Sequence, residues 1–170
     1  MKFLMGSLFV FFPLILIPAY GDLNRDVLVD GLNNPWEIVF GPDDEIYFTE
    51  RDGRIWMITE SGEAKVIQTF QKSGSVEGGT LGIALHPEFD KTKKIYVYQT
   101  NLELDFFQNK VFSFKINNDM LIDKQIIIDD IPGAPWHDGG RIKFGPDDKL
   151  YITTGDAINP GWSQDLSSLA

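Results

Sequence analysis

The sequence predicts an all-β chain assembled from β-propeller blades, and three observations carry that prediction. The phrase Ile38-Val39-Phe40-Gly41-Pro42-Asp43-Asp44-Glu45-Ile46-Tyr47-Phe48-Thr49 returns as Ile142-Lys143-Phe144-Gly145-Pro146-Asp147-Asp148-Lys149-Leu150-Tyr151-Ile152-Thr153. A looser copy lies between them: Ile83-Ala84-Leu85-His86-Pro87-Glu88-Phe89, then after a longer turn Ile95-Tyr96-Val97-Tyr98. No stretch sustains a helical period at the usual length, whereas short β-branched and aromatic runs alternate with turn residues.

The prolines of the three copies, at 42, 87 and 146, are 45 and 59 residues apart. Propeller blades run roughly 40–50 residues, with loop insertions added on one face. Each copy repeats one piece of physics. A short apolar strand meets a Gly/His-Pro-acid turn, where proline fixes φ and an acidic side chain can cap the turn. A strand rich in β-branched and aromatic residues follows. A β-sandwich also has short, regularly spaced strands, but recurrence of one whole motif favours the propeller.

Residues 1–21 are expected to be an export signal. Lys2 supplies the positive start, Phe3 to Ile17 is almost wholly apolar, and Ala19-Tyr20-Gly21 offers small residues where a signal peptidase cuts. The apolar run approaches the roughly 18–20 residues of a membrane span, so a retained anchor is the alternative. In either case residues 22–170 are expected outside the cytoplasm, secreted, periplasmic or at the cell surface, with no membrane span after cleavage. Further strands are expected over residues 54–59, 64–70, 111–116 and 124–129, with turns at Ser61-Gly62-Glu63 and Asn117-Asn118-Asp119. Strands at 141–144 and 150–154 complete the last copy. Propellers close with typically four to eight blades, and this sequence accounts for about three, the last incomplete. It is expected to be the N-terminal part of a longer protein, with oligomeric closure of short chains as the alternative.

Composition excludes several classes of function. With 15 basic and 25 acidic side chains the formal net charge is −10. A nucleic-acid partner or an anionic membrane surface needs clustered Lys and Arg, so neither is expected. The chain has no cysteine, which rules out disulfides and thiolate metal sites even in an oxidising compartment.

Two histidines remain to be weighed. His86 occupies a turn position where the other copies have glycine, and a surface or hydrogen-bonding role suits it. His137 lies in Pro135-Trp136-His137-Asp138-Gly139-Gly140-Arg141, directly before a repeated inner strand, and inner-strand ends surround the channel of a propeller. The strand 141–144 and its partner 150–154 form a hairpin whose open ends meet. That pairing brings Asp156 towards His137. A carboxylate accepting from one imidazole nitrogen fixes the tautomer and makes the other nitrogen a better base; the plainer reading is a contact tying two loops. Asp43-Asp44, Asp129-Asp130 and Asp147-Asp148 read as solvated turn acids, and no loop has EF-hand oxygen spacing.

Several phrases together resemble the soluble glucose/sorbosone dehydrogenases. They are Gly31-Leu32-Asn33-Asn34-Pro35-Trp36, Thr49-Glu50-Arg51, Glu77-Gly78-Gly79-Thr80-Leu81-Gly82-Ile83-Ala84-Leu85-His86-Pro87-Glu88-Phe89, His137 to Asp147, Tyr151 to Ala157 and Gln164 to Ala170. The resemblance implies a six-bladed propeller that oxidises the anomeric carbon of aldoses with pyrroloquinoline quinone (PQQ) and calcium. It implies that His137 is the general base taking the hydroxyl proton while hydride passes to the quinone, with Asp156 its supporting carboxylate. Glu77 matches a substrate-contacting position held by glutamine in the best-known glucose enzyme; the plainer reading is a loop carboxylate before a Gly-Gly turn. Trp136 stands where that enzyme has aspartate, and could stack on a sugar ring or wall the channel. Gln164 is a possible cofactor contact. Arg51 and Arg141 either attract an anionic cofactor or bond to turn carbonyls and carboxylates. Calcium ligands and most quinone contacts are expected beyond Ala170, and this chain alone is expected to be inactive. The competing class is a non-catalytic propeller binding a carbohydrate or protein. A hydrolytic, lactonase-like propeller would need a carboxylate-rich calcium centre.

Overall fold

The computed structural model describes residues 25–170; the expected export signal, residues 1–21, lies outside them. The chain is all-β, built as successive antiparallel propeller blades. The first blade is β1 (Pro35–Phe40), β2 (Ile46–Glu50), β3 (Arg54–Ile58) and β4 (Ala64–Thr69), hydrogen-bonded in chain order. The second is β5 (Thr80–Leu85), β6 (Lys94–Glu103), β7 (Phe106–Asn117) and β8 (Met120–Pro132), again in order. The hairpin β9 (Gly139–Phe144) and β10 (Leu150–Thr154) opens a third. The innermost strands β1, β5 and β9 lie side by side, with β5 packed between the other two.

Alternation along β6 shows why the blades stack. Ile95 and Val97 point into one apolar cluster with Tyr47, Ile55, Met57 and Ile67 of the first blade. Their neighbours Tyr96 and Tyr98 point the other way, into a cluster with Ile142, Phe144 and Ile152 of the third. Both faces of β6 are therefore covered, whereas the outer strand β8 leaves Met120, Ile126 and Ile127 exposed. Ile95, Val97 and Tyr98 are fully buried, each aliphatic side chain contributing about 1.5–3 kcal/mol by leaving water.

The Pro-Asp-Asp phrase folds differently in its two copies. In the first, Glu45 N–H donates to Pro42 O and both Asp43 and Asp44 have positive φ. In the second, Asp148 N–H donates to Gly145 O and only Asp148 is left-handed. In the middle copy the turn widens into a single helical turn, α1 (Phe89–Thr92), and Glu88 N–H donates to His86 Nδ1 at 3.1 Å. A short 3-10 turn, Trp162–Gln164, follows β10.

Strands in the second blade run longer than the sequence predicts. The runs expected at 111–116 and 124–129 extend to 106–117 and 120–132. The added residues pair in a hairpin whose turn, Leu104-Asp105, has φ of 47° and 69° without a glycine. Among the described residues no helix is long and apolar enough to cross a membrane.

Candidate active site

The segments entering the inner strands gather at one end of the blades. Glu77 N–H donates to Pro135 O at 3.0 Å, Thr80 N–H to Arg51 O at 3.3 Å and Arg51 N–H to Asn34 O at 3.1 Å. His137 stands at this end, just before β9, and Asp156 just after β10. The hairpin brings them together: His137 Nδ1 lies 2.7 Å from Asp156 Oδ1. The same carboxylate oxygen accepts Ile158 N–H at 3.0 Å, so Asp156 is aimed before it meets the ring. A carboxylate at Nδ1 selects the tautomer with its proton there and leaves the lone pair on Nε2. The histidine side chain is 58% exposed and the aspartate 23%, placing that lone pair at an open surface.

The backbone of His137 is left-handed, with φ of 64°, a conformation costing a non-glycine residue roughly 1–2 kcal/mol. Contacts on both sides hold it. Its N–H donates to Glu77 Oε2 at 2.9 Å, and its carbonyl accepts Ala157 N–H at 3.2 Å. Gly155 lets the two segments close: a Cβ there would stand 1.8 Å from His137 O.

Beneath the histidine lies a residue that the sequence reading did not single out. Asp138 is 2% exposed. Its Oδ1 accepts Asn109 Nδ2–H at 3.0 Å and Ala134 N–H at 3.1 Å, and the Ser75 hydroxyl lies 3.4 Å from its Oδ2 while also reaching the carbonyls of Ala134 and Pro135 at 3.2 Å. The Tyr98 hydroxyl donates to its backbone carbonyl at 2.8 Å. Burial pushes the Asp138 carboxyl up, partly countered by those three donors. An acidic residue between a histidine and a glycine pair was the available sequence signal; the donors come from scattered positions with none.

The other expected positions separate. Glu77 joins the histidine through the backbone contact above. Trp136, one residue before His137, is 45% exposed. Gln164 sits exposed in the 3-10 turn, without a hydrogen bond to His137, Asp156 or Glu77. Arg51 Nη2–H donates to Val76 O at 2.7 Å. Arg141 pairs with Glu37 and lies 4.6 Å from the Trp36 ring centroid. Both arginines are engaged in bonds between segments. His86 lies at the far end of β5, its ring 5.8 Å from that of Phe144. The inner strands wall a cavity of about 530 Å³ lined by Glu37, Phe40, Ala84, Arg141, Phe144 and Thr153, among others.

Comparison with known proteins identifies the family and the fold. A family model for glucose/sorbosone dehydrogenases matches residues 32–170. Quinoprotein glucose dehydrogenase B of Acinetobacter calcoaceticus is 30% identical over 148 residues, 79% of this chain and 31% of that protein. A solved structure from Thermus thermophilus, an oxidoreductase assigned as a glucose dehydrogenase, superposes with a TM-score of 0.79 at 36% identity. That match covers 85% of this chain and 44% of the other. The PQQ-bound aldose sugar dehydrogenase of Streptomyces coelicolor gives a TM-score of 0.76 at 30% identity, covering 85% and 45%. The chain thus spans about a third of the curated relative and under half of the solved ones.

Proposed function

The chain belongs to the glucose/sorbosone dehydrogenase family, and from that premise we propose that it forms the N-terminal part, residues 22–170 after an export signal, of an extracytoplasmic quinoprotein oxidising the anomeric carbon of aldoses. The observation that carries this reading is the His137–Asp156 pair at 2.7 Å, with Nε2 open to a substrate. When bound, PQQ supplies the two-electron acceptor for the hydrogen on the anomeric carbon. This chain's residues handle the proton. His137 Nε2 accepts it from the anomeric hydroxyl, and Asp156 stabilises the imidazolium that results and keeps the ring in place.

Glu77 has two oxygens and two tasks. Oε2 holds the His137 amide, leaving Oε1 to accept a sugar hydroxyl. Trp136 offers a half-exposed ring beside the base, suited to stacking on the apolar face of a pyranose.

The described residues fit the base side of this reaction and not the holding of the cofactor. An anionic quinone needs cations; Arg141 is paired with Glu37, whereas Arg51 donates to Val76 O and its buried Nε meets no partner among the described residues. Calcium needs six to eight oxygen ligands, and among the described residues no group of three or more carboxylate or imidazole side chains converges. Gln164 remains a proposed cofactor contact from the family resemblance.

A dye-reduction assay tests the proposal. The complete protein is expected to oxidise aldoses only when PQQ and calcium are supplied, whereas the 170-residue chain alone shows no turnover. Absence of aldose oxidation by the complete, reconstituted protein overturns the dehydrogenase reading. Turnover by the short chain overturns the division of labour.

A further inference from the structure

Asp138 is too costly to be filler. Burying a carboxylate loses several kcal/mol of hydration unless hydrogen bonds replace it, yet this side chain is almost wholly enclosed at the junction of two blades. Its carboxylate partners come from three places: Asn109 on β7, Ser75 in the segment before β5, and Ala134 in its own loop. Tyr98 on β6 holds its carbonyl. All but Ala134 lie outside its own loop, in the second blade or the segment leading into it. Asp156, by contrast, belongs to the third. His137 therefore sits on a bridge pinned at both ends, with Asp138 tying it to the second blade and the Gly155–Ala157 contacts tying it to the third.

We propose that Asp138 is a positioning residue whose buried carboxylate, held by Asn109, Ser75 and the Ala134 amide, fixes the left-handed backbone at His137 so that Nδ1 meets Asp156 and Nε2 faces substrate. The inference rests on the reading of His137 as the base. It adds a residue that touches neither substrate nor cofactor and acts only through its neighbour. The physical ground is the backbone strain at φ of 64°, which persists only where surrounding contacts over-determine it. Among those contacts, only the Asp138 set is buried on the second-blade side.

The test uses Asp138→Asn and Tyr98→Phe in the complete protein. Asp138→Asn keeps the shape and one acceptor oxygen but puts an amide where an oxygen faced donors. Tyr98→Phe keeps the core ring and deletes only the hydrogen bond to the Asp138 carbonyl. Displacing a catalytic group by about 1 Å can cost on the order of 10²-fold in rate. Asp138→Asn is therefore expected to lower kcat between about tenfold and a hundredfold with KM nearly unchanged, and Tyr98→Phe to lower it a few-fold. A second readout needs no cofactor. The 15N shifts of His137 in the quinone-free protein report its tautomer, which is expected to change from Nδ1–H alone to a mixture. Lower melting temperature with unchanged kcat and unchanged His137 shifts in either folded variant makes Asp138 purely structural and overturns the proposal. If Asp138→Asn does not fold, Tyr98→Phe decides by the same criteria. If the wild type oxidises no aldose, the dehydrogenase reading fails while the nitrogen shifts still decide whether Asp138 positions the ring.

Discussion

The rims of the first and third blades are one piece of scaffold used in two ways. His137 stands nine residues before the repeat's Pro146, and Asn33 nine before Pro42; Asp156 and Asp52 stand ten after the same prolines. The equivalence holds in space. Asn33 Nδ2–H donates to Asp52 Oδ2 at 3.3 Å, as the ring of His137 meets Asp156 at 2.7 Å. Each blade also has a register shift near this end, and a threonine at the same repeat position serves the inner strand. Thr49 Oγ1 accepts Glu37 N–H and Thr153 Oγ1 accepts Arg141 N–H. What differs is the company of the carboxylate. Asp52 shares Arg54 at 2.9 Å with the buried Glu50, so it is paired with a permanent cation. Asp156 has an imidazole instead. A guanidinium stays charged at every relevant pH, which suits the first rim to a latch; an imidazole can gain and lose a proton, which suits the third to the proposed base.

Truncating the matching residue on each rim is the strongest way to break that comparison. In the complete, reconstituted protein His137→Ala is expected to lower kcat by about 10²-fold or more, the usual contribution of a positioned base. Asn33→Ala at the matching position is expected to leave kcat within about twofold of wild type, the mark of a group outside the acid–base step. A loss below about tenfold for His137→Ala, well short of acid–base contributions, removes the base assignment. An equal loss for both variants means that the two rims do not differ in role.

Glycines at the two hairpin ends sharpen the point at intermediate magnitude. A Cβ on Gly155 would meet His137 O at 1.8 Å, and one on Gly53 would meet Phe70 O at 2.3 Å. Both alanine variants should destabilise the complete protein by at least about 1–3 kcal/mol, the usual cost of forced overpacking, because each Cβ meets backbone and Gly53 also has φ of 119°, measured by denaturant unfolding. Gly155→Ala should also lower kcat, because it separates the backbone segments that carry the dyad. Gly53→Ala should leave kcat of the folded protein unchanged. Equal kcat in the two variants would detach the dyad geometry from the backbone approach at Gly155.

Much of this was legible in the chain, for identifiable reasons. The blades were readable because a propeller repeats, so Ile38–Thr49 and Ile142–Thr153 announce the same two strands. The approach of Asp156 to His137 was readable because an antiparallel hairpin forces its open ends together. The extension of β6 and β7 was not, since Leu104-Asp105 turns without glycine or asparagine and its neighbours Leu102 and Phe106 read as ordinary strand residues. Asp138 was hidden for another reason. Its donors Ser75, Asn109 and Tyr98 are brought together by blade packing, which no local pattern encodes. The repeat does not extend to turn type: identical Gly-Pro-Asp-Asp phrases make different turns, Asp43 and Asp44 both left-handed in the first and only Asp148 in the second.

The smallest expected effect lies in the pH dependence of the latch. Burial works against the ionised form of Asp52, but hydrogen bonds from Arg54 and Asn33 outweigh it and hold the carboxyl below the ordinary aspartate range. A carboxyl depressed in the folded state contributes stability above its unfolded value, near pH ~4, and that contribution disappears as pH falls through the folded value. Asp52→Asn, which cannot ionise, should therefore melt a few degrees below wild type near neutral pH, in keeping with a partly exposed ion pair. The gap should close as both are taken into strong acid. High salt should narrow it as well, because the pair is only partly shielded from solvent. A gap that stays constant from neutral to acid would mean that Asp52 acts through shape and not through charge. The contrast between a cation-locked first rim and a proton-carrying third would then lose its electrostatic basis.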